Sequence, residues 1–316
     1  MDSFSLQSGA GSIHPDIDAA SANTAPPGFL VPEDSWDCHA HIFGDYNKYP
    51  LASSRQYTPP VQNEIDYFKM LDATGLSFGV LSQPSVYGMD NSALIAAISA
   101  SKGRLRGVVV ADLLQTSDSD IELWDNAGIR GVRLNLAIPG CLNPEGLTEL
   151  GPVLEQLGWH LEVVLKTIED LPPMAGILSR LPVPVIIEQM GSVRARDDIA
   201  GKAFTTLISV IKDGLWCKLS HAYKISSESP GYLDTLPYAR AIIDASSSRL
   251  VWGSDWPHPR VPGPMPTDGK LLDLLFEWVN ADITILHAIL SVNPQKLYDQ
   301  YRPGWHGLNH IEGKML

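Results

Sequence analysis

The sequence predicts an α/β fold, a closed (β/α)8 barrel of the TIM type with a C-terminal helical extension, on three observations. Short apolar runs alternate with helical patterns from Ser35 onward, which is typical of parallel βα units. Eight such runs occur, and several are almost entirely apolar, as strands covered on both faces are. A chain of 316 residues is also long enough for one complete barrel.

The predicted elements follow one another in regular order. The strands are predicted at 37–43, 78–83, 105–111, 131–136, 160–165, 183–189, 215–220 and 250–255. Helices are predicted between them, among others at 64–74, 91–101, 147–157, 204–212 and 233–245, several of them ending at a glycine. A helical hairpin over about 270–298 follows the last strand. The alternative is an open doubly wound sheet, but its first βα turn would be rich in glycine, and here it reads DCHAH.

The first 30 residues differ in composition from the rest of the chain. Residues 1–30 are rich in Ser, Ala, Gly and Pro and lack the positive segment and apolar stretch of a secretion signal. We expect them to form a flexible leader, and residues 31–316 to form a single domain.

Composition also restricts the function. A net charge of −13 argues against a nucleic-acid partner, because a protein that binds the phosphate backbone needs a basic face. No run of about 18 apolar residues occurs, so no membrane span is expected. The cysteines Cys38, Cys141 and Cys217 form no CxxC pair, which fits a cytoplasmic protein without disulfides. No pattern in the sequence favours a particular oligomeric state.

Three residues at strand ends predict the catalytic centre. His39 and His41 end the first predicted strand, and Asp255 ends the eighth. Strand alternation points both imidazoles into the barrel mouth and places Cys38 and Ala40 toward the helices. The first and eighth strands are neighbours in a closed barrel, whose active residues lie at the C-terminal ends of its strands. We therefore expect these three side chains to form one site.

The segments around these residues resemble the 2-pyrone-4,6-dicarboxylate lactonase group of the amidohydrolase superfamily. The resemblance spans about residues 32–301 and rests on DCHAHIFG (37–44), YTPP (57–60), QPSVYG (83–88), GVR (131–133), GSDWPHP (253–259), MP (265–266) and NP (293–294). It implies hydrolysis of a small carboxylated lactone without a required metal. Asp255 would activate water, while His39 and His41 would polarise the lactone carbonyl.

The resemblance also implies a binding site for the acid groups of the substrate. Gln189 stands where the group has a histidine; it can donate a hydrogen bond but cannot titrate. Lys224 stands where an arginine is typical and lacks the bidentate fork of a guanidinium. Tyr87 and His258 are further candidates in the loops. The predicted substrate-binding residues are Arg133, Lys224, Gln189, Tyr57, Ser85, Tyr87 and His258.

Three residues are the candidate ligands for a metal ion. His39, His41 and Asp255 could hold a single divalent ion such as Zn or Mn. The fifth strand ends without a histidine or carboxylate and the sixth ends in Gln189, so a two-metal centre lacks ligands. His221 is expected at the rim, because alternation places it opposite Lys224. We expect no cofactor.

Other functions stay open on the same fold. A metal-dependent decarboxylase or a lactone isomerase would share both histidines and the aspartate. A non-enzymatic binding protein on a degenerate barrel is the third possibility. Metal analysis, product analysis and activity assays separate the three.

Overall fold

A computed structural model describes residues 15–21, 24–138 and 144–300. Eight parallel strands form one sheet in chain order, each paired with the next. They are β1 (Trp36–Ala40), β2 (Phe78–Ser82), β3 (Leu105–Val109), β4 (Ile129–Asn135), β5 (His160–Val164), β6 (Val185–Ile187), β7 (Trp216–Leu219) and β8 (Leu250–Trp252). All eight predicted strands are present, and the predicted barrel is confirmed.

The first and last strands meet just beyond the end of β8. Ala40 and Trp256 form a parallel bridge. The His41 amide donates to the Trp256 carbonyl at 2.7 Å, and the Asp255 amide donates to the His39 carbonyl at 2.9 Å. Backbone hydrogen bonds therefore hold the two histidines and the aspartate in register with each other.

Helices lie between the strands and after them. They are α1 (Glu64–Thr74), α2 (Ser92–Ala100), α3 (Asp118–Ala127), α4 (Leu147–Leu157), α5 (Leu171–Leu178), α6 (Lys202–Lys212), α7 (Ala222–Ile225), α8 (Leu236–Ala245), α9 (Asp268–Trp278) and α10 (Ile283–His287). Two π-helical segments, Ala288–Val292 and Gln295–Gln300, follow α10, so the C-terminal helical extension is confirmed.

Local signals explain where α1 begins and ends. The Asn63 side chain accepts hydrogen bonds from the amides of Ile65 and Asp66, at 3.0 and 3.3 Å, and so caps the first turn. Gly75 ends the helix with a φ of 82°, a left-handed conformation that suits a residue without a Cβ atom. The helix therefore has the bounds that the sequence predicts.

Cys38 faces the opposite way from the prediction. It packs in a buried cluster with Val80, Val108 and Val251, whereas Ala40 packs in the cluster that includes the helices. The register of β1 against β2 shifts between Asp37 and Ala40, as it does at a β-bulge. This irregularity breaks the strict alternation that the sequence argument assumed.

Asp37 ties the two closing strands together. Its Oδ1 accepts from the amides of Ser254 at 2.8 Å and His39 at 3.1 Å, and its Oδ2 accepts from the hydroxyls of Ser254 at 2.6 Å and Tyr67 at 2.9 Å. The carboxyl is fully buried, and burial raises its pKa from 3.8 to about 6.

The N-terminal segment contacts the barrel where it is described. Asp16 bridges to Thr58, and Phe29 stacks on Phe276 with 4.8 Å between ring centroids. The flexible leader predicted for residues 1–30 falls partly on residues 1–14 and 22–23, which lie outside the described residues. Among the described helices, none has the length and hydropathy needed to cross a bilayer.

Candidate active site

The structure brings His39, His41 and Asp255 together at the C-terminal end of the barrel. Asp255 Oδ1 lies 3.3 Å from His41 Nε2 and 3.6 Å from His39 Nε2. The two imidazole rings meet edge to face with 4.9 Å between centroids. All three side chains are buried, so their interactions are weakly screened by solvent.

The two oxygens of Asp255 have different surroundings. Oδ2 lies 3.0 Å from the Lys224 ammonium and 2.9 Å from His221 Nε2, and it accepts a hydrogen bond from the Tyr223 hydroxyl. Oδ1 has no hydrogen-bond partner within the described part of the chain. Oδ2 is therefore held in place by donors, and Oδ1 is the atom that is free to take a proton.

Burial and neighbouring charges set the protonation of this group. Burial lowers the pKa values of His39 and His41, and it lowers that of His221 to about 3. Burial alone would raise the pKa of Asp255, but His221 and Lys224 outweigh it and hold the pKa well below its usual value. At neutral pH the site thus contains one carboxylate among neutral imidazoles.

The hydrogen bond behind His41 fixes where its proton lies. His41 Nδ1 is 2.7 Å from the carbonyl oxygen of Ser82, which can only accept a hydrogen bond. The proton of the neutral ring is therefore on Nδ1, and Nε2 presents a lone pair beside Asp255. In this state His41 can accept a proton or hold water, but it cannot donate to a lactone carbonyl.

Arg133 has a protein partner that the sequence analysis missed. Its Nε and Nη2 donate to the two oxygens of Glu188 at 2.9 and 2.8 Å, and its Nη1 donates to the Gln83 carbonyl at 3.2 Å. A guanidinium has five N–H donors, so two remain for a substrate. An arginine inside a predicted strand indicated a buried partner, but the partner could not be named without the register of the strands.

A cavity of about 450 Å³ opens above Asp255. The predicted residues that line it are His41, Tyr57, Ser85, Arg133, Gln189, Lys224 and Asp255. Three cationic residues that the sequence analysis did not name also line it: Lys166, Arg194 and Arg260. Their positions shortly after β5, β6 and β8 were a usable signal, because loops after barrel strands surround the mouth.

Tyr87 and His258 lie behind the cavity wall instead of lining it. The Tyr87 hydroxyl accepts a hydrogen bond from the Gly44 amide at 2.9 Å. His258 Nε2 is 3.1 Å from Asp268 Oδ1, and its ring contacts Tyr223 edge to face at 5.7 Å between centroids. Both residues therefore support loops in this structure, which shows no exposure of either ring to the cavity.

His221 is part of the site, contrary to the rim position expected from the sequence. The expectation extended strand alternation to residue 221, but β7 ends at Leu219. His221 adopts a left-handed backbone conformation with a φ of 63°, which turns its ring toward Asp255. His160, by contrast, is buried at the start of β5 and thus at the far end of the barrel.

A metal ion fits the distances but not the hydrogen bonds of this site. Among the described residues, two sets of donor atoms lie within 4.8 Å of one another: His39, His221 and Asp255, and His39, Glu162 and Glu188. His221 thus takes the place of the expected His41, and ligands of tetrahedral zinc are about 3.3 Å apart. The second set is occupied by Lys218, which pairs with Glu162, and by Arg133, which pairs with Glu188. However, His221 reaches Asp255 at hydrogen-bond distance, which places a proton on its Nε2. The Lys218 ammonium lies 3.4 Å from His39 Nδ1, where a metal-bound histidine normally donates to an acceptor.

Comparison with known proteins agrees with this fold. A 2-pyrone-4,6-dicarboxylate hydrolase of Comamonas testosteroni is 29% identical over 289 residues, which are 88% of this chain and 94% of that protein. A 4-sulfomuconolactone hydrolase of Hydrogenophaga intermedia is 33% identical over 294 residues, 88% of this chain and 93% of that protein. A crystal structure from Acinetobacter baumannii with bound citric acid has a TM-score of 0.74 and 25% identity, covering 84% and 99% of the two chains.

The family model described as amidohydrolase matches residues 36–300, from β1 to the last π-helical segment. The resemblance inferred from the sequence motifs is thus confirmed over the whole barrel. This chain belongs to the amidohydrolase family.

Proposed function

We propose that this protein is a metal-independent hydrolase that opens a small lactone carrying acidic groups. The observation that supports it best is the asymmetry of Asp255, with Oδ2 held by three donors and Oδ1 free beside His41. A carboxylate held in this way is suited to take a proton from an attacking water molecule. The named activities of the two relatives, both lactone hydrolases, support the same class of reaction.

The mechanism follows from the donors and acceptors at the site. A water molecule that donates to Asp255 Oδ1 and His41 Nε2 attacks the lactone carbonyl carbon, and its proton passes to Asp255. The developing oxyanion needs donors already in place, and we assign this part to His39 Nε2, which lies 3.6 Å from Asp255 Oδ1 and directly behind the residues that line the cavity. The ring C–O bond then breaks, and the leaving oxygen takes the proton from Asp255, so that water is added across the ester bond.

The charges of the cavity support an anionic substrate. Five cationic residues line it, although the whole chain carries a net charge of −13: Arg133, Lys166, Arg194, Lys224 and Arg260. A local excess of positive charge in a cleft attracts anions against the net charge of the protein. The relatives act on a dicarboxylate and on a sulfonated lactone by name, and the related crystal structure holds citric acid. We infer a substrate with two acidic groups.

The polar residues of the wall have separate parts in this proposal. Tyr57 and Ser85 both line the cavity and offer neutral hydroxyl donors to an acid group. Gln189 lines the same cavity and offers an amide. The Lys224 ammonium lies 3.0 Å from Asp255 Oδ2, so it orients the base in addition to attracting the substrate. Buried free thiols at Cys38 and Cys217 suit a reducing compartment such as the cytoplasm.

A substrate panel with product analysis tests the proposal. The panel contains 2-pyrone-4,6-dicarboxylate, 4-sulfomuconolactone and uncharged lactones of similar size, each assayed with enzyme that has been treated with chelator and analysed for metal. We expect ring opening, detected as acid release and by NMR, for acidic lactones only. A rearranged lactone formed without acid release would indicate an isomerase. Metal-dependent release of CO₂ would indicate a decarboxylase, and tight binding without turnover would indicate a binding protein. Each of these three results overturns the proposal.

A further inference from the structure

A fully buried group of charges lies directly beneath His39. The Lys218 ammonium is 2.6 Å from Glu162 Oε1 and 3.4 Å from His39 Nδ1. The Ser82 hydroxyl is 3.3 Å from both Glu162 Oε2 and His39 Nδ1. All four side chains are buried in the barrel interior, which makes this a costly arrangement that hydrogen bonds must compensate.

We propose that Lys218 is a positioning residue that keeps the proton of His39 on Nε2, so that this ring donates to the substrate and cannot ligate a metal ion. The inference deepens the proposed function and rests on it for the role of the donated proton. It assigns opposite tasks to the two histidines of the DCHAH segment.

The first argument is the chemistry of the ammonium group. An ammonium has three donors and no lone pair, so it can interact favourably with Nδ1 only if that atom carries no proton. The competing acceptor is Glu188 Oε2, which is 3.6 Å from Nδ1 and already accepts from Arg133. The Ser82 hydroxyl donates to Glu162, so its oxygen can only accept at Nδ1, 3.3 Å away, and it competes there with the ammonium. We take the full positive charge of Lys218 to outweigh this neutral acceptor and to favour a lone pair on Nδ1.

The second argument comes from the opposite side of the ring and does not involve Lys218. His39 Nε2 lies 3.6 Å from the anionic Asp255, at the Oδ1 atom. A lone pair facing a carboxylate oxygen is repelled, whereas an N–H group is attracted. His41 differs because the Ser82 carbonyl, 2.7 Å from its Nδ1, holds the proton on that side of the ring, whereas His39 Nδ1 faces an ammonium. A cation at one nitrogen and an anion at the other therefore select the same tautomer.

Glu162 explains why Lys218 is held so firmly. Besides Lys218, Glu162 Oε1 accepts from the Tyr298 hydroxyl at 3.2 Å and lies 3.5 Å from His160 Nε2. Burial raises the pKa of Glu162, but Lys218 outweighs this effect and keeps it well below the usual value. The carboxylate is thus anchored from below the barrel, and it fixes the ammonium under His39.

The consequence is a pair of imidazoles with opposite polarity next to one carboxylate oxygen. His41 Nε2 presents a lone pair and His39 Nε2 presents a proton, and both face Asp255 Oδ1. One ring can hold the attacking water while the other stabilises the oxyanion. A catalytic metal usually takes three protein ligands or more, and the protonated His39 is withdrawn from that set.

The tautomer can be measured without substrate. Protein labelled with ¹⁵N-histidine is studied by long-range ¹H–¹⁵N NMR, and the His39 signals are assigned by comparison with His39→Gln. We expect a protonated Nε2 and an unprotonated Nδ1 in the wild-type protein. A protonated Nδ1 would overturn the proposal. Because this readout needs no turnover, a panel without any opened lactone would overturn the proposed function and leave this result intact.

Lys218→Met tests the cause. We expect the ¹⁵N spectrum of His39 to show a mixture of the two tautomers, because Asp255 alone then favours the Nε2 proton. We also expect kcat to fall by up to about 10²-fold, the usual loss for one oxyanion donor, and KM to change little. Zinc retained after incubation and desalting should rise toward one equivalent. Lys218→Met alone leaves Glu162 as an unpaired carboxylate, so a second variant combines it with Glu162→Gln. If the His39 tautomer changes in this double variant as well, the unpaired carboxylate is not the cause. Lys270→Met, at an exposed lysine, is the matched control and should behave as wild type. An unchanged tautomer in both Lys218 variants overturns the proposal.

Discussion

Arg133 and Glu188 form a bidentate pair in the barrel interior, with hydrogen bonds of 2.9 and 2.8 Å. The carboxylate fixes the plane of the guanidinium, and Arg133 also lines the cavity. A cation that is fixed by a neighbour loses little freedom when it binds an anion, because its side chain is already ordered. The same ion pair therefore contributes to the stability of the fold and to the binding of an anionic substrate.

The first prediction concerns this coupling. Arg133→Met should raise KM for an acidic lactone at least about tenfold and destabilise the protein by about 3–5 kcal/mol, because Glu188 is left as an unpaired buried charge. Arg133→Met with Glu188→Gln should regain much of the stability but none of the affinity. Denaturant titration and steady-state kinetics measure both quantities. Equal stability of the single and double variants would contradict the pairing.

The second prediction concerns the base. Asp255→Asn should lower kcat by about 10²–10⁴-fold, the usual contribution of a general base, because the amide cannot take a proton from water. Thermal unfolding and circular dichroism provide the control that the barrel still folds. Wild-type turnover in a folded variant would exclude Asp255 from this role.

The third prediction concerns the donors at Asp255 Oδ2. Tyr223→Phe removes one of them, so the pKa of Asp255 should rise and the acid limb of kcat/KM should move to higher pH by about one unit. The pH dependence of kcat/KM is the measurement. Tyr238→Phe is the matched control and should leave the profile in place, because the Tyr238 hydroxyl donates to the Asp197 carbonyl, outside the cavity. A profile that is the same in both variants would argue against the Tyr223 contact.

The fourth prediction concerns stability against pH. The pKa of Asp37 is raised from 3.8 to about 6 in the folded protein. Between these values the unfolded chain releases the proton while the folded protein keeps it, so stability falls as pH rises, by about 3 kcal/mol in total at 1.36 kcal/mol per pKa unit. Asp37→Asn does not titrate and should lack this fall. The unfolding free energy of the wild-type protein, measured at pH 4, 5, 6 and 7, should fall toward that of Asp37→Asn or below it. If the two proteins gave parallel curves of unfolding free energy against pH, the raised pKa of Asp37 would be contradicted.

The barrel and its three central residues could be predicted from the sequence for physical reasons. Parallel strands covered on both faces must be apolar, and closure brings the first and last of them together. His39, His41 and Asp255 follow from those two facts. The prediction used no knowledge of loop geometry, and it is accurate for these residues, whose positions are set by the ends of strands.

The remaining residues depend on features that a sequence does not show. His221 turns inward because of a positive φ after the end of β7, and Cys38 does so because of the shift in β1. Arg133, Glu162, Glu188 and Lys218 were visible as charges in apolar runs, which indicates buried pairing. Which cation meets which carboxylate depends on strand register, and only the structure provides it.

The bridge between Ala40 and Trp256 has a consequence for how the enzyme is made. The imidazoles are translated early and the carboxylate late, and backbone bonds between the two ends are what align them. A nascent or truncated chain that lacks the eighth strand therefore carries no assembled site and should be inert. Recovery of turnover during refolding consequently reports the moment at which the ring of strands is completed, a step that helix content alone would miss.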